Sequence, residues 1–280
     1  MRKRTLLCGA AVFGLATTAR AAIYQTVSPY TDTQGDSLGS TNGGRDIVGA
    51  TITNDATNLY ITMTFNPTSV TNTNTNTTES AASIATSGYN YGIGITTGPG
   101  AGGDTMASTD HGNPYGRAIS IDSTLGGMTD WVGVYGAGGA GTTGSPYTSY
   151  GFNDYVYSSS TWTKIDTVSS GQPLSATGGD ANDNTISLTV PMSDFTNLTL
   201  TPGTTIDFDI YTTGSSGNQT AYDSLADQSA TQPEATYSAT TQYDGTVLDS
   251  YTIVAPVPEP ATLGLLSCGG LLLLKRRSKA

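Results

Sequence analysis

Positive charge is scarce in this sequence, whose 280 residues include 11 Lys and Arg against 22 Asp and Glu, for a net charge of −11. Nucleic-acid binding is excluded, because contacts with phosphates require clustered Lys and Arg. Charged residues of both signs make up only 12% of the chain, so the composition is not that of a helical bundle. Intrinsic disorder is excluded as well, since 36% apolar residues with 16 Tyr and 2 Trp can form a core.

Cysteine and histidine are almost absent: the chain has two cysteines, Cys8 and Cys268, and one histidine, His111. Residues 23–256 contain no cysteine, so this region lacks a disulfide, a thiol nucleophile and the ligands of a zinc site. A Ser-His-Asp triad would have to use His111, which stands in a His-Gly-Asn-Pro segment typical of a turn. The carboxylates are mostly Asp in turn-like segments, so we predict that the protein is not an enzyme.

The N-terminus has the pattern of a secretory signal peptide. Three basic residues at positions 2–4 precede an apolar stretch over 6–16, and the small-x-small site Ala19-Arg20-Ala21 follows. We therefore predict a signal helix over residues 1–22, export by the Sec machinery, and cleavage after Ala21 or the residue that follows it. The alternative is a buried N-terminal helix.

The C-terminus combines a proline motif, a short apolar segment and a basic end. Val257-Pro258-Glu259-Pro260 precedes the apolar residues 261–274, and Lys275-Arg276-Arg277 follow. Fourteen helical residues extend about 21 Å, which is short of the ~30 Å hydrocarbon core of a bilayer. The prolines keep the motif extended, and the basic residues hold the end of the chain on the cytoplasmic side.

This arrangement over residues 257–280 closely resembles the PEP-CTERM sorting signal of Gram-negative-type bacteria. The resemblance implies processing by a membrane-embedded exosortase, a transpeptidase-like cysteine protease, with Glu259 and its flanking prolines as recognition determinants. It also implies association with extracellular polysaccharide and biofilm matrix. The protein would then be anchored in the inner membrane only transiently, through this segment, before it reaches the cell surface. An ordinary C-terminal tail anchor is the alternative.

Residues 23–256 are predicted to form one extracytoplasmic domain, and this region carries 3 basic and 21 acidic residues, a net charge of −18. Such self-repulsion favours a bound divalent cation, and calcium prefers oxygen ligands. Asp180, Asn182 and Asn184 alternate in a glycine-flanked loop and form one candidate calcium site. Asp32 and Asp36, on either side of Gly35, form another candidate pair. The alternative is that these residues belong to ordinary surface turns.

A period of two in the hydrophobic residues predicts β-strands almost throughout this region. Residues 59–65 alternate apolar and polar side chains, and residues 186–190 and 206–210 do the same. We predict an all-β fold, a single antiparallel, jelly-roll-like β-sandwich of about ten strands. The other predicted strands are 46–53, 89–96, 117–122, 130–135, 154–158, 161–167 and 246–254. Only 192–196 and 221–228 have the pattern of a short helical turn.

The stretch from Asp46 to Ile61 resembles the opening strand pair of family-nine-type carbohydrate-binding modules, which belong to the DOMON-like β-sandwiches. The segment 207–211 fits the same architecture. Carbohydrate binding is thereby implied, and Trp131 and Trp162 are candidates for stacking on sugar rings. The alternative, which we favour for both tryptophans, is a place in the core.

The sequence as a whole predicts an exported, non-enzymatic protein of the cell surface or matrix that associates with extracellular polysaccharide. A specific carbohydrate-binding module, assisted by calcium, is the second hypothesis. A polysaccharide hydrolase is the third.

Overall fold

The computed structural model describes residues 29–37, 43–71, 76–81, 90–105, 119–136, 150–168, 184–214, 221–226, 243–245 and 247–255. All of these residues belong to one compact unit, Ile23–Val257. The predicted signal helix and the predicted C-terminal helix with its sorting motif lie outside the described residues.

The described residues form fifteen β-strands and three short 3-10 helices, and no α-helix occurs among them. The 3-10 helices are Gly43–Arg45, Ser123–Leu125 and Met192–Asp194. The strands are β1 (Tyr30–Thr31), β2 (Ile47–Asn54), β3 (Asn58–Phe65), β4 (Val70–Thr71), β5 (Thr78–Glu79), β6 (Asn90–Thr96), β7 (Ile119–Ile121), β8 (Asp130–Gly136), β9 (Tyr150–Ser158), β10 (Thr161–Val168), β11 (Thr185–Pro191), β12 (Thr205–Thr213), β13 (Ala221–Ser224), β14 (Tyr243–Gly245) and β15 (Asp249–Thr252).

Two antiparallel sheets make up the sandwich, which confirms the predicted fold class. One sheet has the strand order β1-β2-β3-β11, and the other has the order β10-β9-β8-β6-β12-β13, with β15 also paired to β12. The pairs β4-β5 and β7-β14 stand apart from these sheets, and β7-β14 is parallel. The predicted helical turn in 221–228 is wrong for residues 221–224, because pairing with β12 makes this short segment a strand.

The alternating pattern places one face of each main sheet in a shared core. In β3 the side chains of Leu59, Ile61 and Met63 are buried, and they face Val190, Leu188 and Ile186 of β11 in register. Across the core, the rings of Phe65 and Tyr91 lie 4.8 Å apart, and those of Tyr30 and Phe208 lie 5.1 Å apart at nearly a right angle. These apolar contacts between the sheets hold the sandwich together.

A second, smaller apolar cluster lies on the outer face of the larger sheet. Its centre is Trp131, whose indole ring is stacked at 10° to the ring of Tyr211, with the ring centroids 6.2 Å apart. A Cβ atom on Gly92 would lie 2.1 Å from Cη2 of Trp131, so only glycine permits the indole to lie against β6 at this point. The outer face of this sheet is therefore covered, rather than open to solvent, around Trp131.

Candidate functional site

Three aspartates converge at one side of the sandwich. Carboxylate oxygens of Asp32, Asp36 and Asp223 all lie within 4.8 Å of one another. Asp32 and Asp36 follow β1, and Asp223 belongs to β13 at the edge of the other sheet. The structure thus brings the predicted pair of Asp32 and Asp36 together and adds Asp223. We call these three residues the acidic centre.

A tight turn brings Asp32 and Asp36 to the same place. Gly35 adopts a positive φ of 87°, and its backbone N–H donates to both carboxylate oxygens of Asp46, at 2.9 and 3.1 Å. A Cβ at Gly35 would lie only 3.0 Å from Val70 Cγ2 and 3.1 Å from Thr71 O. Glycine is needed here both for the left-handed backbone and for the close approach of the β4 strand.

Backbone donors fix the orientation of the Asp223 carboxylate. The N–H of Ile47 donates to Oδ2 of Asp223 at 2.6 Å, and the N–H of Ser224 donates to Oδ1 at 3.0 Å. A further bond joins Thr212 Oγ1 of β12 to the carbonyl oxygen of Arg45, in the 3-10 helix that precedes β2, at 2.6 Å. Because β2 and β13 belong to different sheets, these bonds hold the acidic centre between the two layers of the sandwich.

A fourth carboxylate, that of Asp209, borders the acidic centre. Asp209 lies on β12 between the residues that pair with β15 and those that pair with β13. Its oxygens accept hydrogen bonds from Ser224 Oγ at 2.5 Å and from the N–H of Ala226 at 3.0 Å. Asp207, two residues earlier, is partly exposed and accepts a bond from Ser250 Oγ at 2.6 Å. The two aspartates of this strand therefore have different environments.

Burial and mutual repulsion favour the protonated forms of these aspartates when no cation is bound. Desolvation, followed by the charge of Asp36, raises the pKa of Asp32 from 3.8 to about 9. Desolvation raises the pKa of Asp223 as well, and the charges of Asp32, Asp36 and Asp46 raise it further. The neighbouring charges that most strongly raise these two pKa values all belong to carboxylates. The Oδ2 atom of Asp32 is buried and accepts no hydrogen bond from the described residues.

The chemistry of this arrangement fits a hard cation. Carboxylate oxygens are the ligands that calcium prefers, and a divalent ion would offset the repulsion that raises these pKa values. The nearest basic residue in sequence, Arg45, places its guanidinium carbon 3.9 Å from the centre of the Tyr222 ring. Asp32, Asp36 and Asp223 are the residues that could hold the ion directly.

The other predicted calcium loop gives a different result. Asp180 and Asn182 lie outside the described residues. Asn184 immediately precedes β11, where its Nδ2 donates to Phe65 O at 3.1 Å and its carbonyl oxygen accepts from the Phe65 N–H at 2.8 Å. Asn184 therefore extends the pairing between β11 and β3.

The residues of the two predicted targeting segments lie outside the described part of the chain. They are Ala19 and Ala21 at the signal cleavage site, Val257, Pro258, Glu259 and Pro260 of the sorting motif, and Lys275, Arg276 and Arg277 of the basic end. Within the described ranges, none of the helices has the length and apolar character needed to cross a membrane.

The two tryptophans differ in burial, although Trp162 packs against the same outer apolar cluster that contains Trp131. Trp131 is fully buried in the outer apolar cluster, so stacking of a sugar on Trp131 is incompatible with its position, and the core alternative applies to it. Trp162 on β10 is partly exposed. Its Nε1–H donates to Oδ2 of Asp104 at 2.8 Å, and its ring centre lies 5.2 Å from that of Tyr157.

Sequence reasoning missed Asp223 because its segment resembles a helical turn, and an isolated Asp in Ala-Tyr-Asp-Ser gives no metal-binding pattern. Its proximity to Asp32 depends on the pairing of β13 with β12, which no local pattern specifies. A fully buried aspartate elsewhere, Asp130 on β8, was likewise not anticipated, and burial raises its pKa from 3.8 to about 7.

Comparison with known proteins gives no match to a protein-family model, to a curated protein or to a solved structure. The resemblances to the PEP-CTERM signal and to DOMON-like modules therefore stay predictions that depend on the residues quoted for them.

Proposed function

We propose that this chain is an exported, non-enzymatic protein of the bacterial cell surface or matrix, that it associates with extracellular polysaccharide, and that a divalent cation stabilises its β-sandwich. The observation that carries the cation part is the convergence of Asp32, Asp36 and Asp223 within 4.8 Å. The proposed location at the cell surface or in the matrix is supported by the signal-peptide pattern at the N-terminus and by the PEP-CTERM-like segment 257–280.

Calcium is the cation that this proposal names, because the donors are oxygens and the destination is outside the cell. The domain lacks disulfides, since it has no cysteine, so another source of stability suits an exported chain. A cation that binds only the folded state stabilises that state by mass action. It would also join the turn after β1 to β13, two segments far apart in the sequence.

The cation part is tested by titration calorimetry with calcium and by thermal unfolding in EDTA and in calcium. We expect binding heat and a calcium-dependent rise in melting temperature for the wild type, and loss of both in Asp32→Asn. The matched control is Asp207→Asn, which makes the same substitution at a partly exposed aspartate of β12. If Arg45 or protonation supplies the counter-charge instead, the wild type will show neither heat nor a rise.

The sorting part is tested by localisation of the chain with and without residues 257–280, in cells with and without an exosortase. We expect the tail to be removed only when the exosortase is present, and the protein to stay in the inner membrane when it is absent. An unchanged distribution with the tail still attached would refute exosortase processing and favour an ordinary anchor.

The second candidate function is a specific carbohydrate-binding module. It is favoured by the partly exposed indole of Trp162 beside the ring of Tyr157. A glycan array separates the two functions, because a module gives saturable binding to defined sugars. A hydrolase, the third candidate, requires a carboxylate whose removal abolishes turnover while the fold survives.

A further inference from the structure

The hairpin of β9 and β10 places two aromatic rings side by side at the edge of the larger sheet. Trp162 pairs with Tyr157 in register, and the N–H of Tyr157 donates at 2.8 Å to Thr129 O, away from β10. The pair is therefore of the non-hydrogen-bonded type, in which opposite side chains approach most closely. The two rings are tilted by 53°, and both side chains are partly exposed.

The indole of Trp162 is held in a fixed orientation. Its Nε1–H donates to Asp104, whose side chain is 5% exposed. Asp104 is itself anchored by a bridge to Met128, a residue of the outer apolar cluster. The indole also packs against that cluster, so it loses little side-chain entropy when a ligand covers its exposed part.

The turn of the hairpin adds hydroxyl groups next to the rings. Ser159 and Ser160 form the two-residue turn, and both have positive φ values, 53° and 61°. Such a turn favours Asn-Gly, so two serines in the left-handed region store strain. Ser159 and Ser160 are both exposed, whereas Ser158 and Thr161 precede and follow the turn and project from the opposite face to the rings. Strain beside a partly exposed ring pair points to a role in binding for the hydroxyls of Ser159 and Ser160.

We propose that Tyr157, Trp162 and the hydroxyls of Ser159 and Ser160, together the ring platform, bind a neutral hexopyranose unit of a polysaccharide. The rings offer flat apolar surfaces to the C–H faces of the sugar, and the two serine hydroxyls exchange hydrogen bonds with its hydroxyl groups. This inference rests on the proposed association with polysaccharide and names its site.

The charge of the chain selects a neutral sugar over an acidic one. Residues 150–168 contain one basic residue, Lys164, and two acidic residues, and residues 23–256 together have a net charge of −18. The Nζ of Lys164 lies 5.9 Å from the centre of the Tyr155 ring, and the carboxylate of Asp104 accepts a hydrogen bond at the edge of the indole. A polyuronate would therefore meet net repulsion, whereas a neutral glucan would not.

The platform is tested with the full chain in mild detergent, by affinity electrophoresis against a neutral glucan and a polyuronate of similar length. Tyr157→Ala and Trp162→Ala are each expected to weaken glucan binding about tenfold or more, the size typical of an aromatic anchor. Trp162→Phe keeps a ring and should retain most of the binding. The matched control is Tyr60→Ala, which removes a partly exposed tyrosine from the other sheet. Circular dichroism melts confirm that each variant is folded.

Tryptophan fluorescence gives a second readout that packing alone would not change. Glucan should protect Trp162 from acrylamide quenching, while the buried Trp131 is shielded with or without sugar. Equal glucan binding by wild type and Tyr157→Ala would overturn the platform but leave polysaccharide association standing. Preference for the polyuronate would overturn the neutral-sugar assignment. No binding of either polymer by the wild type would overturn both the platform and the proposed association.

Discussion

The backbone N–H of Ile47 donates a 2.6 Å hydrogen bond to the buried carboxylate of Asp223 and thereby joins the two sheets of the sandwich. Ile47 opens β2 in one sheet, and Asp223 lies in β13 of the other. The carboxylate that closes the acidic centre is thus oriented by the fold itself, before any cation is bound. Stability and the proposed ion binding therefore depend on the same side chain at this position.

Replacing Asp223 by alanine should therefore destabilise the domain even in EDTA. The buried N–H of Ile47 loses its acceptor, and an unsatisfied buried donor costs about 1–3 kcal/mol. Urea unfolding measures the difference in free energy. Asp207→Ala, at a partly exposed position, is the control and should cost less. Equal losses for the two variants would contradict the structural role assigned to Asp223.

The stability of the cation-free domain should fall as the pH rises. The pKa of Asp32 is about 9 in the folded state and near 3.8 when unfolded, so the folded state holds a proton between these values. The contribution of Asp32 to the free energy of unfolding is complete below about pH 4 and is lost as the pH approaches 9. Urea unfolding in EDTA at several pH values measures this fall.

Calcium should flatten that pH dependence, because bound carboxylates are ionised and their charge is offset by the ion. Asp32→Asn should flatten it in EDTA as well. A steep fall that persists unchanged in this variant would show that Asp32 is not its source.

Asp130→Asn should stabilise the domain at alkaline pH. Burial raises the pKa of Asp130 to about 7, so above that pH the folded state must accommodate a buried charge. Removing the charge should raise the free energy of unfolding at pH 8 by roughly 1–3 kcal/mol, with less effect at pH 5. The comparison is made by urea unfolding at both pH values. A variant whose effect is the same at pH 5 and pH 8 would contradict the assignment.

Gly92→Ala should destabilise the larger sheet by about 1–3 kcal/mol, because the new methyl group would overlap the indole of Trp131. Thermal unfolding measures the loss. In the double variant with Trp131→Phe, the two costs should not add, since the smaller ring leaves room for the methyl group. Full additivity of the two losses in stability would mean that residue 92 and the Trp131 side chain are not in steric contact.

Replacing Ser159-Ser160 by Asn-Gly should raise stability by about 0.5–1 kcal/mol, because these residues adopt positive φ without strain. The same change removes two hydroxyls of the ring platform, so glucan binding should weaken while the melting temperature rises. Ser158→Ala removes a hydroxyl from the opposite face of the hairpin, outside the ring platform, and serves as the control. A lower melting temperature in the Asn-Gly variant would contradict the strained geometry of the turn.

Local pattern was enough to predict the long strands but not all of the short ones. The alternation in residues 59–65 corresponds to β3, and the predicted segment 161–167 corresponds to β10. The two-residue β1 and the four-residue β13 escaped prediction, because so few residues show no period and depend on hydrogen bonds to a neighbouring strand.

The sequence by itself determined the β class, the imbalance of charge, the absence of cysteine from residues 23–256 and the patterns at the two ends, because these are properties of composition and of neighbouring residues. Only the tertiary structure decided which aspartates meet. Asp32 and Asp36 share a turn, but Asp223 joins them through pairing of β13 with β12 and through the bond from Ile47. The tertiary structure also decided that Trp131 is buried and that Trp162 is partly exposed, since burial depends on what covers each face of a sheet.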